Sequence, residues 1–300
     1  MTTRNSEKIL VLGGTGKVGR QITKLLAATS IPTFQASRSG ASTTEPGADN
    51  IKPISFDWED EKTWASALEA GVKSIFLVAP PVMDVLSPMQ SFIDQARMKG
   101  HAKRFVLLSA SSIEPDINGY ATGRPHAYLK ELGDKGDVEW AAIRPTYFQQ
   151  NFIEQYNHCK AIANESTIYS ATADGKIAWV ATEDIAACAY QLLTQEDAPN
   201  DQYLILGPEL LNYNDIAKIL SEILGRKIVH KKLSAQELVE RFAGQGVPRD
   251  YAEMLSGLDT AIKNGSENRT NSVVLALTGK QPRKFRDTAE KNKGVWAESA

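Results

Sequence analysis

Cysteine is nearly absent: the 300 residues contain two, Cys159 and Cys188. Neither has metal-ligand spacing around it, which argues against a disulfide framework or a thiolate zinc site and fits a reducing compartment. His101 and His158 lack patterned partners, so no metal is expected. No apolar run approaches the ~18 residues of a membrane span. The polar stretch Met1 to Lys8 has no apolar signal core. An excess of either charge is also missing. The chain has 34 basic and 36 acidic residues and a formal net charge of -2, giving no reason to expect nucleic acid or an anionic membrane as partner. The expectation is a cytoplasmic protein of one or two domains, and 42% apolar residues can fill a core without staples.

What the chain does have is glycine at spaced positions behind a buried strand. Ile9 to Leu12 runs into Gly13-Gly14-Thr15-Gly16-Lys17-Val18-Gly19, and Val18, Ile22, Leu25 and Leu26 then follow a helical period. Strand, tight turn and helix in that order form a dinucleotide-binding pattern. One glycine permits the turn, one admits a pyrophosphate and one lets the helix pack closely. The phosphates would meet the free N–H groups of the helix N-terminus. The next strand, Ile31 to Ala36, ends in Ser37-Arg38-Ser39. A site for NAD would place an acid there, on the ribose 2′-hydroxyl. A guanidinium and hydroxyls suit a 2′-phosphate instead, so NADP(H) is the expected cofactor.

Further strands are expected at 54–56, 74–78, 104–108, 139–143, 176–180 and 203–206. Asp57, after the first of these, has two readings: an acceptor for the adenine amino group, or a helix cap. Ala79-Pro80-Pro81 ends the strand at Val78 and faces the ligand crevice. Met83 follows it. Ser109 stands at the end of the strand before Ser111-Ser112. Short-chain dehydrogenases have a serine near this point and then Tyr-x-x-x-Lys. No such pair follows that strand here. His126 holds the tyrosine position relative to Lys130, and Tyr128 is only two residues from that lysine. His126 is a candidate proton donor or ribose contact, or a histidine fixing a helix end. Tyr147 and Phe148 are candidates for an aromatic wall. A helix is expected over 149–163. After Gly207-Pro208 the chain reads as helices, with Asn212 and Ser234-x-x-Glu237 as caps and a stripe of Tyr251, Leu255, Leu258 and Ile262.

These motifs, with Phe56-Asp57-Trp58, Phe105 to Ser111, Arg144-Pro145-Thr146, Asn151-Phe152 and the tail Leu277 to Phe285, resemble the NmrA-like atypical short-chain dehydrogenases. Within that family the chain is most similar to the fungal festuclavine/agroclavine dehydrogenases of ergot alkaloid biosynthesis. The resemblance implies an α/β fold: a Rossmann-type doubly wound parallel sheet with a smaller, mainly helical C-terminal substrate lobe. The expected boundaries are 1–152 and 174–207 for the NADP-binding domain, and 153–173 and 208–300 for the lobe.

The resemblance also implies an NADPH-dependent reduction of a cyclic iminium in an indole alkaloid, without a Tyr-x-x-x-Lys acid. The cofactor residues are then Gly13, Thr15, Gly16, Lys17, Val18, Gly19, Ser37, Arg38, Asp57, Ala79, Pro80 and Ser109. His126 and Tyr147 are the catalytic candidates. Met83, Tyr120, Tyr147, Phe148 and Trp179 are the substrate candidates. An iminium already carries the charge that makes its carbon electrophilic, so hydride addition needs no acid, whereas a ketone does. The expected partner is a small hydrophobic amine or iminium, with a homodimer as the expected assembly. The alternatives are a quinone or enone reductase using His126, Tyr120 or Tyr147 as acid, a non-catalytic NADP-sensing regulator, and an NADP-bound cyclisation template.

Overall fold

The computed structural model of the chain describes residues 7–43, 47–69, 71–82 and 84–297. The chain opens with β1 (Ile9–Val11), α1 (Gly19–Ala27), β2 (Thr33–Ser37), β3 (Ile51–Ser55) and α2 (Trp64–Glu69). It continues through β4 (Ser74–Val78), α3 (Leu86–Met98), β5 (Arg104–Leu108), α4 (Gly123–Asp134) and β6 (Glu139–Pro145). Then come α5 (Asn151–Glu154), α6 (Tyr156–Glu165), β7 (Thr167–Ser170), α7 (Thr182–Thr194), β8 (Asp201–Ile205) and α8 (Tyr213–Leu224). The last elements are β9 (Val229–Lys232), α9 (Ala235–Gly244), α10 (Arg249–Lys263), α11 (Val273–Thr278) and α12 (Phe285–Lys291).

Two compact units result. The first comprises Met1–Pro145, Thr182–Ile205 and Val273–Lys280; the second comprises Thr146–Ala181, Leu206–Ser272 and Gln281–Ala300. Compared with the expected boundaries, residues 146–152, 174–181 and 206–207 fall in the second unit. Phe148 bridges to Val180 there, and Phe152 and Trp179 enter its core. Residues 273–280 fall in the first unit, because α11 packs on α7 and β8.

The first unit is a seven-stranded sheet in the order β3-β2-β1-β4-β5-β6-β8, with every neighbouring pair parallel. Strands buried on both faces explain the near-continuous apolar runs Ile75 to Leu77 and Phe105 to Leu107. On one face, Leu10, Ile75, Leu77, Phe105 and Leu107 pack with residues of α2, α3 and α4. Met89, Phe92, Ile93 and Ala96 of α3 are fully buried there. α1 and α7 pack together and α7 also lies on β4, β5 and β6. Leu25, expected on the buried stripe of α1, is 38% exposed, while Ile22 and Leu26 are covered. The order reverses between β1 and β4, so the crevice at the ends of these strands is the usual ligand position of such a sheet.

The second unit joins β7 to β9 in a small parallel sheet, covered by helices. Its caps follow the sequence closely. Asn212 and Asp215 form a capping box at α8, Gly225 closes that helix at φ 64°, and Ser234 and Glu237 cap α9. The helix expected over 149–163 is two helices, because Gln155 is extended with ψ 118°. The strand expected at 176–180 is instead tied by two isolated bridges, Ile177 to Leu211 and Phe148 to Val180. No helix among the described residues is long and apolar enough to cross a membrane.

Candidate functional site

A groove of about 320 Å³ opens in the first unit where four neighbouring strands end. Gly13, Thr15 and Gly16 come from the loop after β1, Ser37 and Arg38 from β2, Asp57 and Trp58 from β3, and Ala79 and Pro80 from β4. The loop needs its glycines. Gly13 has φ 61°, in the left-handed region. A Cβ on Gly19 would lie 2.2 Å from the carbonyl oxygen of Gly13, so only glycine lets α1 start beneath the turn.

Arg38 is exposed at the groove, and among the described residues its guanidinium meets no carboxylate. The buried Ser37 hydroxyl donates to the Ala41 carbonyl at 3.3 Å. Asp57 accepts the Glu59 backbone N–H at 3.0 Å, so one carboxylate oxygen works as a local cap and the side chain still lines the groove. Trp58 donates its indole N–H to the Val78 carbonyl at 3.1 Å. It sits edge-on to Phe56, Trp64 and Phe92, which holds the groove wall to the core. Sequence reasoning did not single out Trp58 as a wall residue, although an aromatic directly after Asp57 was the available signal.

Several expected site residues stand elsewhere. Lys17, Val18 and Gly19 do not line the groove; Val18 and Gly19 are buried beneath the turn. Ser109 is also off the groove: 7% exposed, its hydroxyl is 3.0 Å from that of Thr122. His126 is not placed for catalysis. It is fully buried in α4, tilted against Trp140 at 5.5 Å, and among the described residues neither ring nitrogen has a hydrogen-bond partner. Burial, and then the nearby Arg144 charge, push its pKa down to about 4, so it is neutral at physiological pH. Tyr120 is 67% exposed on a loop and lines neither the groove nor the cavity described below. Met83 lies outside the described residues.

Around the short-chain dehydrogenase position, Tyr128 donates to Asp94 at 2.7 Å and Lys130 pairs with Asp134 at 2.6 Å. A Tyr-x-x-x-Lys spacing does occur in the chain, at Tyr156 and Lys160. This corrects the expectation that the chain lacks one. It lies on α6 in the second unit, and not on the helix after β5.

The second unit holds its own cavity, of about 350 Å³. Tyr147, Trp179 and Tyr213 form its aromatic corner, with ring centroids 5.9 Å apart at 69° for the first pair and 5.3 Å apart at 85° for the second. The Trp179 indole N–H donates to the Leu211 carbonyl at 3.0 Å, which fixes that ring. Phe148 stands just behind, bridged to Val180, and does not line the cavity. Leu255 and Leu258 of α10 close another side, and Asn151, Gln155 and Asn157 bring amides. One carboxylate is present, Asp259, half-buried on α10. Burial raises its pKa to about 6, against the pull of the Ala171 N–H that it accepts at 2.7 Å. Burial, then the charges of Asp259 and Glu267, push the Tyr147 phenol far up, so it keeps its proton. Tyr213 is raised as well, by burial and then by Asp259. Tyr147 and Trp179, two of the substrate candidates, line this one cavity, together with Asp259 and Tyr213, which the sequence reading did not name.

The NmrA-like family model matches residues 5–268. Festuclavine synthase II of Penicillium roqueforti is 43% identical over 297 residues, covering 96% of this chain and 99% of that protein. Agroclavine dehydrogenase of Claviceps fusiformis is 39% identical over 294 residues, covering 96% and 98%. Among solved structures, the Citrobacter sp. triphenylmethane reductase complexed with NADP(H) superposes with a TM-score of 0.76 at 22% identity, over 95% of this chain and 99% of that one. The NADPH-dependent quinone oxidoreductase of Escherichia coli gives 0.75 at 18% identity, over 94% and 99%. The two structures share the fold described above. With a family match over most of its length and relatives aligned nearly end to end, the chain belongs to the NmrA-like family.

Proposed function

We propose that the protein is an NADP-dependent oxidoreductase that reduces the iminium C=N bond of a hydrophobic, ergot-type indole alkaloid intermediate. The observation that carries this reading is the groove of the first unit: a loop whose Gly14 and Gly19 leave no room for a Cβ, flanked by Ser37 and by Arg38, which meets no carboxylate among the described residues. That donor set fits a pyrophosphate and a 2′-phosphate: the residues flanking Arg38 after β2 are serines, and the acids of the groove, Asp57 and Glu59, come from the segment after β3. When bound, NADPH supplies a hydride. Gly13, Thr15 and Gly16 would hold its phosphates, Arg38 its 2′-phosphate, and Ala79 and Pro80 the wall beyond them.

The substrate class is supported by the names of the relatives at 39% to 43% identity, a festuclavine synthase and an agroclavine dehydrogenase. The cavity of the second unit agrees with a flat, apolar, nitrogen-containing ring system. Tyr147, Trp179 and Tyr213 offer faces and edges to an indole, and the leucines of α10 cover its hydrocarbon. Tyr147 holds its proton too firmly to be a matched general acid near neutral pH. Hydride addition to an iminium gives a neutral amine directly and asks for none. Positioning then carries much of the rate.

The test is transfer of deuterium from stereospecifically labelled NADPH to preformed cyclic iminium compounds bearing an indole. Label on the former C=N carbon in a single configuration is the expected result. Turnover confined to quinones or enones would move the protein to a different reductase class. Tight NADPH binding without turnover of any acceptor would leave a sensor or a template.

A further inference from the structure

Among the described residues, the cavity of the second unit is lined by one carboxylate, no lysine or arginine, and one histidine, His158. Among the described residues, Asp259 forms no ion pair; its only hydrogen bond is the one accepted from the Ala171 backbone N–H. A carboxylate partly withdrawn from water without a cation carries a cost that a bound positive charge relieves. Around it stand Tyr147 and Tyr213, both close enough for its charge to act on their phenols. Trp179 meets the Tyr213 ring almost at a right angle. Rings set at angles around a pocket, with an anion on the wall, make a receptor for an organic cation. The ring faces attract positive charge and the carboxylate neutralises it.

We propose that Asp259 is the counter-ion of a cationic substrate nitrogen, and that with Tyr147, Trp179 and Tyr213 it selects a charged iminium or ammonium over a neutral ring of the same shape. The inference rests on this cavity being the substrate site of the proposed reductase. Asp259 is a specificity residue in this scheme: it touches the substrate and transfers no proton. Its hydrogen bond to Ala171 also ties α10 to the end of β7. A purely structural aspartate would do the same, so the test must read charge selection and not stability alone.

The probes are an indole-fused ring carrying a quaternary N-methylammonium and its neutral analogue with oxygen in place of that nitrogen. Binding is measured by calorimetry on the full chain, saturated with NADP+. The wild type should bind the cation about tenfold or more tightly than the neutral probe. Asp259→Asn keeps an acceptor for the Ala171 N–H, and should bind both probes about equally with the neutral affinity unchanged. Asp259→Glu should keep part of the preference. A wild-type protein that binds the two alike overturns the proposal without any variant, and so does an Asn variant that keeps the preference. The reductase reading fails separately. If no iminium accepts deuterium while the preference holds, the activity is wrong and the cation site stands. If deuterium transfers and Asp259→Asn leaves KM unchanged, the activity stands and the counter-ion is wrong.

Discussion

A Cβ on Gly207 would lie 1.8 Å from the carbonyl oxygen of Trp179. The two segments are also joined by the Gly207 N–H, which donates to the Ala178 carbonyl at 2.9 Å. Gly207 is therefore the floor on which residues 178–179 rest, and Trp179 is a wall of the cavity.

Gly207→Ala should push these backbones apart, because the clash is with main chain and not with a side-chain end that could swing away. The expected loss of stability is about 1–3 kcal/mol, with weaker binding of any aromatic ligand in the cavity. Denaturant unfolding and ligand calorimetry check it. A variant with wild-type stability would mean that Trp179 is not held from this side.

Arg38→Ala should weaken NADPH binding about ten- to a hundredfold, the worth of a charge-assisted contact. NADH affinity should change little, since it has no 2′-phosphate. Fluorescence titration with both nucleotides reads the difference. Equal losses would sink the 2′-phosphate assignment.

Acid should destabilise the protein through His126. Burial lowers its pKa from 6.5 to about 4. The unfolded chain takes up a proton near pH 6.5 and the folded form only near pH 4. The stability this residue contributes is thus complete above pH 6.5 and is lost as pH falls towards 4, by about 3 kcal/mol. His230, lowered to about 4 chiefly by burial, acts in the same window. His126→Leu should flatten the fall between pH 6.5 and 4 and leave the remainder due to His230. Urea unfolding at several pH values measures this. An unchanged slope would show that His126 is not titrating across that window.

The central strands and the glycine loop that lines the groove were readable because local chemistry determines them. β4 and β5 are short apolar runs that end at Pro80 and at serines, and their bounds agree with expectation residue for residue. α8 and α9 carried their own capping boxes. β9 was missed because His230, Lys231 and Lys232 look like a solvated run. That strand pairs on one side only, with β7, and its residues are mostly exposed. His230 is in fact engaged, 2.8 Å from the Ser170 hydroxyl. The break at Gln155 has no proline or glycine to announce it. The stripe on α10 was visible as Tyr251, Leu255, Leu258 and Ile262. Asp259 falls in the same stripe, eight residues after Tyr251, and an acid inside an apolar stripe was the signal that went unused. Ser109 and His126 were placed by analogy with a motif position. Position along a strand or helix does not say whether a side chain turns to the crevice or into the core.

Trp296 closes the core of the second unit, and its indole N–H donates to the Phe152 carbonyl at 2.9 Å. Phe285 enters the same core. During synthesis, Phe152, Trp179 and Tyr213 leave the ribosome long before these partners exist. The unit cannot complete its core as it emerges, and its aromatic surface stays available to chaperones until Phe285 and Trp296 have been made. A premature stop just before Trp296 would therefore leave the core of the second unit open beside Phe152, although every residue lining the groove and the cavity would still be present.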